Sequence, residues 1–205
     1  MTSQNIYETG LEKTAANFEA LTPLSFLARA ARAYPDYPAL IHGPLRQSWA
    51  QTEVRCRRLA SALRRRGIGE GDTVSIVAPN VPAMFEAHFG VPMSGAVLNT
   101  INTRLDAQSM AFIFQHAQSR VVLVDREFGA LVRKALSLID SQSLVIAIDD
   151  PTYLEGELVG ELTYEAFVAT GDEQEPGWLP ADEWQAISLN YTSGTTGNPK
   201  GVVYH

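Results

Sequence analysis

The sequence predicts an α/β fold, a layered and mainly parallel sheet with flanking helices. Three observations carry this reading. Short apolar runs recur at 73–78, 96–100, 120–125 and 143–149. Segments of helical period lie between them, and such alternation calls for parallel strands joined by helical crossovers. The run RVVLVD at 120–125 is of the fully buried type.

The elements follow in order. Residues 1–21 are polar and mixed, and are expected as an extended or loosely packed N-terminal arm. From residue 22, Leu24, Leu27, Ala28 and Ala31 fall at helical spacing. Thr22 can cap that helix, Pro23 suits its first position, and Pro35 stops it. PALIHGPLRQSWA reads as two short strands joined at Gly43-Pro44. The next segment is a helix with Val54, Leu59, Ala60, Ala62 and Leu63 on its apolar side, closed by Gly67. TVSIVA is a strand, and a helix opened by Asn80 and Pro82 follows it. AVLNT is a strand, 106–119 a helix capped by Asp106, and 120–125 a strand. A helix from 126 to 140 and a strand at 143–149 complete the first part.

Composition then shifts. Between Ala135 and Pro199 there is no Lys or Arg, against twelve acidic residues. The stretch 150–184 reads as a solvated surface excursion with a short helix near LTYEAFVAT; a partner-binding acidic patch is the alternative. AISLNYT at 186–192 resumes the strand pattern.

The whole chain sets bounds on function. It has 205 residues, 45% hydrophobic and 19% charged, which suits a folded globular protein. A net charge of −7 argues against a nucleic-acid partner. Cys56 is the single cysteine, so no intramolecular disulfide forms, and the four histidines lie too far apart for zinc spacing. No apolar leader and no run of about 18 apolar residues is present, so a soluble cytoplasmic protein is expected.

Chemistry concentrates in one segment, Tyr191-Thr192-Ser193-Gly194-Thr195-Thr196-Gly197-Asn198-Pro199-Lys200-Gly201. Glycines let backbone N–H groups approach an anion, hydroxyls donate to phosphate oxygens, and Lys200 supplies a mobile positive charge. Lys200 is one of three lysines and the first cation after Lys134. The spacing is not that of a P-loop, because Asn198 and Pro199 separate Gly197 from the lysine and Gly201 stands where a hydroxyl is needed. On composition alone, a hydroxyl-rich connection between strands remains the alternative. In open α/β sheets, ligands bind beyond the carboxyl ends of the strands, where this segment falls.

YTSGTTGNPKGVVYH closely resembles the phosphate-binding signature of the AMP-forming acyl-CoA synthetases. Their adenylate-forming superfamily also holds firefly-luciferase-like enzymes and peptide-synthetase adenylation domains. PDYPALIHG, LRRRGIGEGDTVSIVAPNVP and GAVLNTINTRLD are similar to the family's N-terminal subdomain. The resemblance covers roughly residues 20–205, so 22–205 is expected as a partial AMP-binding domain. LNTINTRLD and the final loop are most similar to fatty-acid and other carboxylate CoA ligases.

The resemblance implies a two-step reaction. A carboxylate attacks the α-phosphate of ATP to give an acyl adenylate and pyrophosphate, and the thiol of coenzyme A then displaces AMP. It also implies Mg²⁺. By position, Thr192, Ser193, Gly194, Thr195, Thr196, Gly197 and Lys200 would grip the β- and γ-phosphates. The family's later motifs, its glutamate toward Mg²⁺ and its adenylation lysine have no counterpart up to His205; Lys13 and Lys134 match no such context. The chain is therefore expected to be the N-terminal portion of a longer ligase, inactive by itself. An amino-acid adenylating domain, or a short non-catalytic binding protein, is the other reading. Acyl substrate and oligomeric state are left open.

Other residues read more plainly. Arg55, Arg57, Arg58, Arg64, Arg65 and Arg66 make one helix basic, as a solvated face or as a patch for CoA phosphates or a membrane surface. Cys56 among these arginines has a route to a lowered pKa, although an ordinary thiol is the simpler expectation. His88 and His116 have no metal-binding partner one helical turn away. Asn99, Asn102 and Arg104 read as turn and packing residues.

Overall fold

The computed structural model describes residues 6–192 and 199–205. The order of elements is α1 (Leu24–Ala33), β1 (Pro38–His42), β2 (Leu45–Ser48), α2 (Trp49–Arg65), β3 (Thr73–Val77), α3 (Pro82–Met93), β4 (Val97–Thr100) and α4 (Ala107–His116). Then come β5 (Ser119–Asp125), a 3-10 turn over Arg126–Phe128, α5 (Gly129–Leu136), β6 (Leu144–Ile148), β7 (Leu162–Thr163), α6 (Tyr164–Ala169), β8 (Ser188–Thr192) and β9 (Lys200–Tyr204).

A sheet of seven strands runs in the order β7-β6-β5-β3-β4-β8-β9. Every neighbouring pair is parallel except β8 and β9, which form an antiparallel ribbon at one edge. The hairpin β1–β2 is a separate two-stranded sheet. The expected α/β architecture is the observed one.

Strand parity sorts the core into two layers. Val74, Ile76, Leu98, Val121, Leu123, Ile146 and Ile148 face α2, α3 and α6, where Leu59, Leu63, Val91 and Phe167 cover them. Val77, Val122 and Val124 face α4 and α5, where Met110, Ile113, Phe114 and Val132 close the layer. Each such buried side chain contributes about 1.5–3 kcal/mol of transfer free energy. With helices on both faces, the central strands need the apolar runs seen in the sequence.

Local signals explain most boundaries. Ser48 and Gln51 form a capping box at the start of α2. Gly67, at φ +70°, closes α2: its N–H donates to the Arg64 carbonyl and that of Ile68 to the Leu63 carbonyl, a Schellman ending. Asp106 caps α4 through Ser109 N as expected. Two expected caps move. Pro23, already helical, is the N-cap of α1, and Thr22 Oγ1 accepts from Leu24 N at 3.3 Å. α3 starts from Val81 with no side-chain cap, because Pro82 presets the first turn and Asn80 lines a cavity instead. α4 stops at His116, short of the expected 119, because Gln118 turns to positive φ. The helix expected from 126 begins as the 3-10 turn, and α5 ends at Leu136.

The acidic stretch is not a free surface excursion. It straps across the basic α2, and the two charge runs partner each other. Arg58 pairs with Glu173 at 2.6 Å, Arg64 with Glu175 at 2.8 Å, and Arg55 with Glu165 at 2.6 Å. Arg65 donates to the Thr170 carbonyl. At Gly171 the strap meets α2 backbone to backbone: a Cβ there would stand 1.9 Å from the Arg58 carbonyl oxygen. Arg55, Arg58 and Arg64 are therefore partnered from within the chain, which weakens the anion-patch reading, while Arg65 and Arg66 stay exposed as a solvated face. Residues 6–19 of the arm are exposed, and Leu21 N donates to Glu183 Oε1.

Candidate functional site

The candidate site grows from the end of β8. β8 lies parallel to β4, with Leu98 opposite Ser188 and Thr100 opposite Asn190. Its carboxyl end therefore points the same way as those of β3, β4, β5 and β6, the edge where α/β sheets bind ligands. β9 returns antiparallel to β8, and Thr192 opposite Lys200 is the last pair among the described residues. Both are exposed. Directly paired residues share a face with Cβ atoms about 5 Å apart, so the Thr192 hydroxyl and the Lys200 ammonium can reach one anion together. Among the described residues, no carboxylate lies within ion-pair distance of Lys200. Ser193, Gly194, Thr195, Thr196 and Gly197, the rest of the expected phosphate-gripping set, lie outside the described residues.

The root of this ribbon is anchored on two sides, by contacts that reading the sequence missed. Thr100 Oγ1 donates to Asn190 Oδ1 at 2.7 Å, and Asn190 Nδ2 donates to Ser188 Oγ. On the α4 side, the Tyr191 hydroxyl and His116 Nδ1 are hydrogen-bonded at 2.7 Å. The His116 ring stacks on Phe112 with centroids 5.4 Å apart and meets the Tyr191 ring edge-on. Tyr191 packs against the α4–α5 core layer, and partial burial pushes its phenol pKa up. Its partner across the ribbon is Gly201, where a Cβ would meet Leu189 Cδ1 at 3.0 Å. A bare backbone at Gly201 gives the flanking side chains room.

A second polar cluster lies in the interior. Glu86 on α3 is fully buried and takes hydrogen bonds from Arg55 (2.5 and 3.1 Å), Gln47 (3.0 Å) and Tyr164 (2.8 Å). Burial works against the Arg55 charge, yet Glu165 and Glu86 outweigh it and hold the guanidinium pKa above its usual value. Burial pushes the Tyr164 phenol up. It also pushes up Cys56, which is 0% exposed, so nearby arginines do not make an activated thiol.

Two cavities, of about 470 and 390 Å³, flank the β1–β2 hairpin beside the start of α3, and His42 lines both. His42 Nε2 bonds Asp150 Oδ1 at 2.9 Å, and Thr152 donates to the same carboxylate. Burial pushes the Asp150 carboxyl up, but these hydrogen bonds prevail and hold it below the ordinary carboxylate range. Asp125, at the end of β5, is pushed up by burial, and its Oδ2 has no partner. Asn99 is buried and donates to Ser75 Oγ, while Asn102 accepts from Arg104 N, in keeping with packing and turn roles. Among the described residues no group of three or more His, Cys, Asp or Glu could hold a metal ion, and no helix is long and apolar enough to cross a membrane.

Comparison with known proteins bears on the fold and the family. Acetate/butyrate–CoA ligase AAE7, peroxisomal, of Arabidopsis thaliana is 52% identical over 95% of this chain and 36% of its own length. Acetate–CoA ligase CCL3 of Humulus lupulus is 49% identical over 94% of this chain and 36% of its own. The chain thus spans little more than a third of the curated relatives it matches. The crystal structure of the anthranilate CoA ligase AuaEII in complex with anthranoyl-AMP superposes with a TM-score of 0.82. That match covers 93% of this chain and 36% of that one at 22% identity, so it speaks for the fold. The family model described as AMP-binding enzyme matches residues 27–205, and the chain belongs to that family.

Proposed function

We propose that this chain carries the phosphate-binding part of an ATP-dependent carboxylate–CoA ligase. The observation that carries the reading is the Thr192–Lys200 pair at the carboxyl edge of the sheet, at the two ends of a glycine- and hydroxyl-rich connection. In the proposed reaction, a carboxylate oxygen attacks the α-phosphorus of ATP and pyrophosphate leaves. The coenzyme A thiol then attacks the acyl carbon and AMP leaves. Thr192 donates a hydrogen bond to a phosphate oxygen, and Lys200 offsets negative charge on the departing pyrophosphate. Both act by position and charge, as phosphate-transfer sites generally do.

The donor set fits a polyphosphate. A hydroxyl and an ammonium suit phosphate oxygens, whereas a divalent cation calls for carboxylates and carbonyls. Magnesium characteristically rides on substrate phosphates with few protein ligands, and when bound it neutralises their charge. Thr192 would lie beside the phosphates that carry it.

By analogy with the relatives named for acetate and butyrate, the proposed substrate is a short aliphatic acid; longer fatty acids and amino acids are the competitors to test. As to compartment, the cytoplasmic expectation competes with the peroxisomal location in the name of the Arabidopsis relative, and cell fractionation decides between them.

The test is ATP–pyrophosphate exchange by the full-length protein with acetate, butyrate, longer fatty acids and amino acids. Exchange driven by a fatty acid and not by amino acids supports the ligase reading. Lys200→Ala should lower the exchange by about 10–100-fold, the worth of one charge-assisted hydrogen bond. An unchanged rate removes Lys200 from the mechanism.

A further inference from the structure

We propose that His116 is a positioning residue for the phosphate site, acting through Tyr191 to hold the root of the β8–β9 ribbon. The inference rests on the ligase reading for its catalytic consequence and on the geometry alone for its structural part.

The ribbon needs such a pin. β9 is exposed at every residue, and among the described residues its one hydrogen-bonded neighbour strand is β8, so packing does little to orient it. Thr192 and Lys200 project from the last register pair, and any twist of the ribbon swings them both. Tyr191 stands directly before Thr192 and opposite Gly201, which directly follows Lys200. It is the position from which one side chain steadies both residues.

His116 is well placed to fix Tyr191. It ends α4, whose Met110, Ile113 and Phe114 are buried in the core, so its backbone is rigid. Its ring is held by the stack on Phe112, and Nδ1 meets the Tyr191 hydroxyl at 2.7 Å. The link therefore runs from a core helix, through two rings and one hydrogen bond, to the strand that bears the site. The Thr100–Asn190 bond pins the strand one residue earlier; at Tyr191 the ring packs on the α4–α5 layer and His116 fixes its hydroxyl end.

The experiment uses three variants and their combination. His116→Phe keeps the stacking ring and removes the hydrogen bond. Tyr191→Phe removes the other partner. His116→Asn places a polar atom near the Nδ1 position. Two readouts are taken: KM for ATP and kcat in pyrophosphate exchange by the full-length protein, and hydrogen exchange at the amides of residues 188–192 and 200–204.

The expected result is a KM for ATP raised about three- to tenfold in each Phe variant, the worth of one neutral hydrogen bond, with a smaller effect on kcat. The double variant should be no worse than either single one, since the two side chains make one contact. His116→Asn should recover most of the loss. Unchanged KM values, or losses that multiply in the double variant, overturn the proposal. If the wild-type protein shows no exchange with any acid, the ligase reading fails, and the amides decide the pin. Ribbon amides that exchange about threefold or more faster in both single variants, and no faster in the double, uphold it; unchanged rates overturn it.

Discussion

Replacing Glu86 by alanine should be among the most damaging single changes in this chain. The side chain is fully buried and takes four hydrogen bonds, two from Arg55 and one each from Gln47 and Tyr164. These donors come from α2, the hairpin and the start of α6, so one carboxylate ties three elements to α3. Alanine leaves Gln47 with Thr52 and Arg55 with Glu165. The exposed Glu165 offers little, because surface ion pairs contribute about 0–1 kcal/mol. The Tyr164 hydroxyl and the inner side of the guanidinium are left without partners. Breaking a buried ion pair from one side costs about 3–5 kcal/mol. For a chain of 205 residues, unfolding entropy is roughly 0.4 kcal/mol per kelvin, so Tm should fall by about 7–12 °C. The assay is urea and thermal unfolding followed by circular dichroism. The triple variant Arg55→Met, Glu86→Met, Tyr164→Phe removes the partners together and should lie within about 2 kcal/mol of the parent. A Glu86→Ala protein within 1 kcal/mol of wild type, or a triple variant worse than Glu86→Ala, would refute the reasoning.

Three further outcomes follow from the same geometry. Gly171→Ala should cost about 1–3 kcal/mol, because the strap must move off the Arg58 carbonyl; chemical unfolding reads the loss, and proteolysis within 170–178 should quicken. Asp150 titrates below its unfolded value, so its stabilisation is complete above about pH 3.9 and fades as pH falls through the folded value. The stability gap between wild type and Asp150→Asn should therefore close on acidification, and a gap independent of pH contradicts the role given to His42. Cys56 should resist iodoacetamide in the native protein and react fully in denaturant, since its thiol is buried with a raised pKa; fast native labelling disproves this.

Much of the fold can be read from local chemistry. TVSIVA, AVLNT and RVVLVD each became strands of the parallel sheet, because a strand covered on both faces must be apolar at successive positions. Gly67 and Asp106 closed and opened helices because a positive φ and a free acceptor are local needs. The capping box of Ser48 and Gln51 was equally legible and went unread. In the candidate site, the hydroxyls, glycines and lysine after a strand were legible as residue types, and the proposed phosphate chemistry rests on them. The pairing of Thr192 with Lys200 required the strand register.

What the sequence determined by itself was whatever depends on neighbours in the chain: periodicity, caps, and the residue types of 192–200 on which the proposed polyphosphate chemistry rests. What only tertiary structure decided was which distant groups meet. The arginine run and the acidic stretch read separately as two surfaces, yet Arg55, Arg58 and Arg64 meet Glu165, Glu173 and Glu175 more than 100 residues away across α2. His116 carried no signal of its own, since its partner Tyr191 lies 75 residues away and only the packing of α4 beside β8 brings them to 2.7 Å. Glu86 went unremarked in the sequence, and burial beside Arg55 makes it the centre of the interior network. A side chain's environment depends on all the elements packed around it, and their arrangement follows from burying the whole core at once.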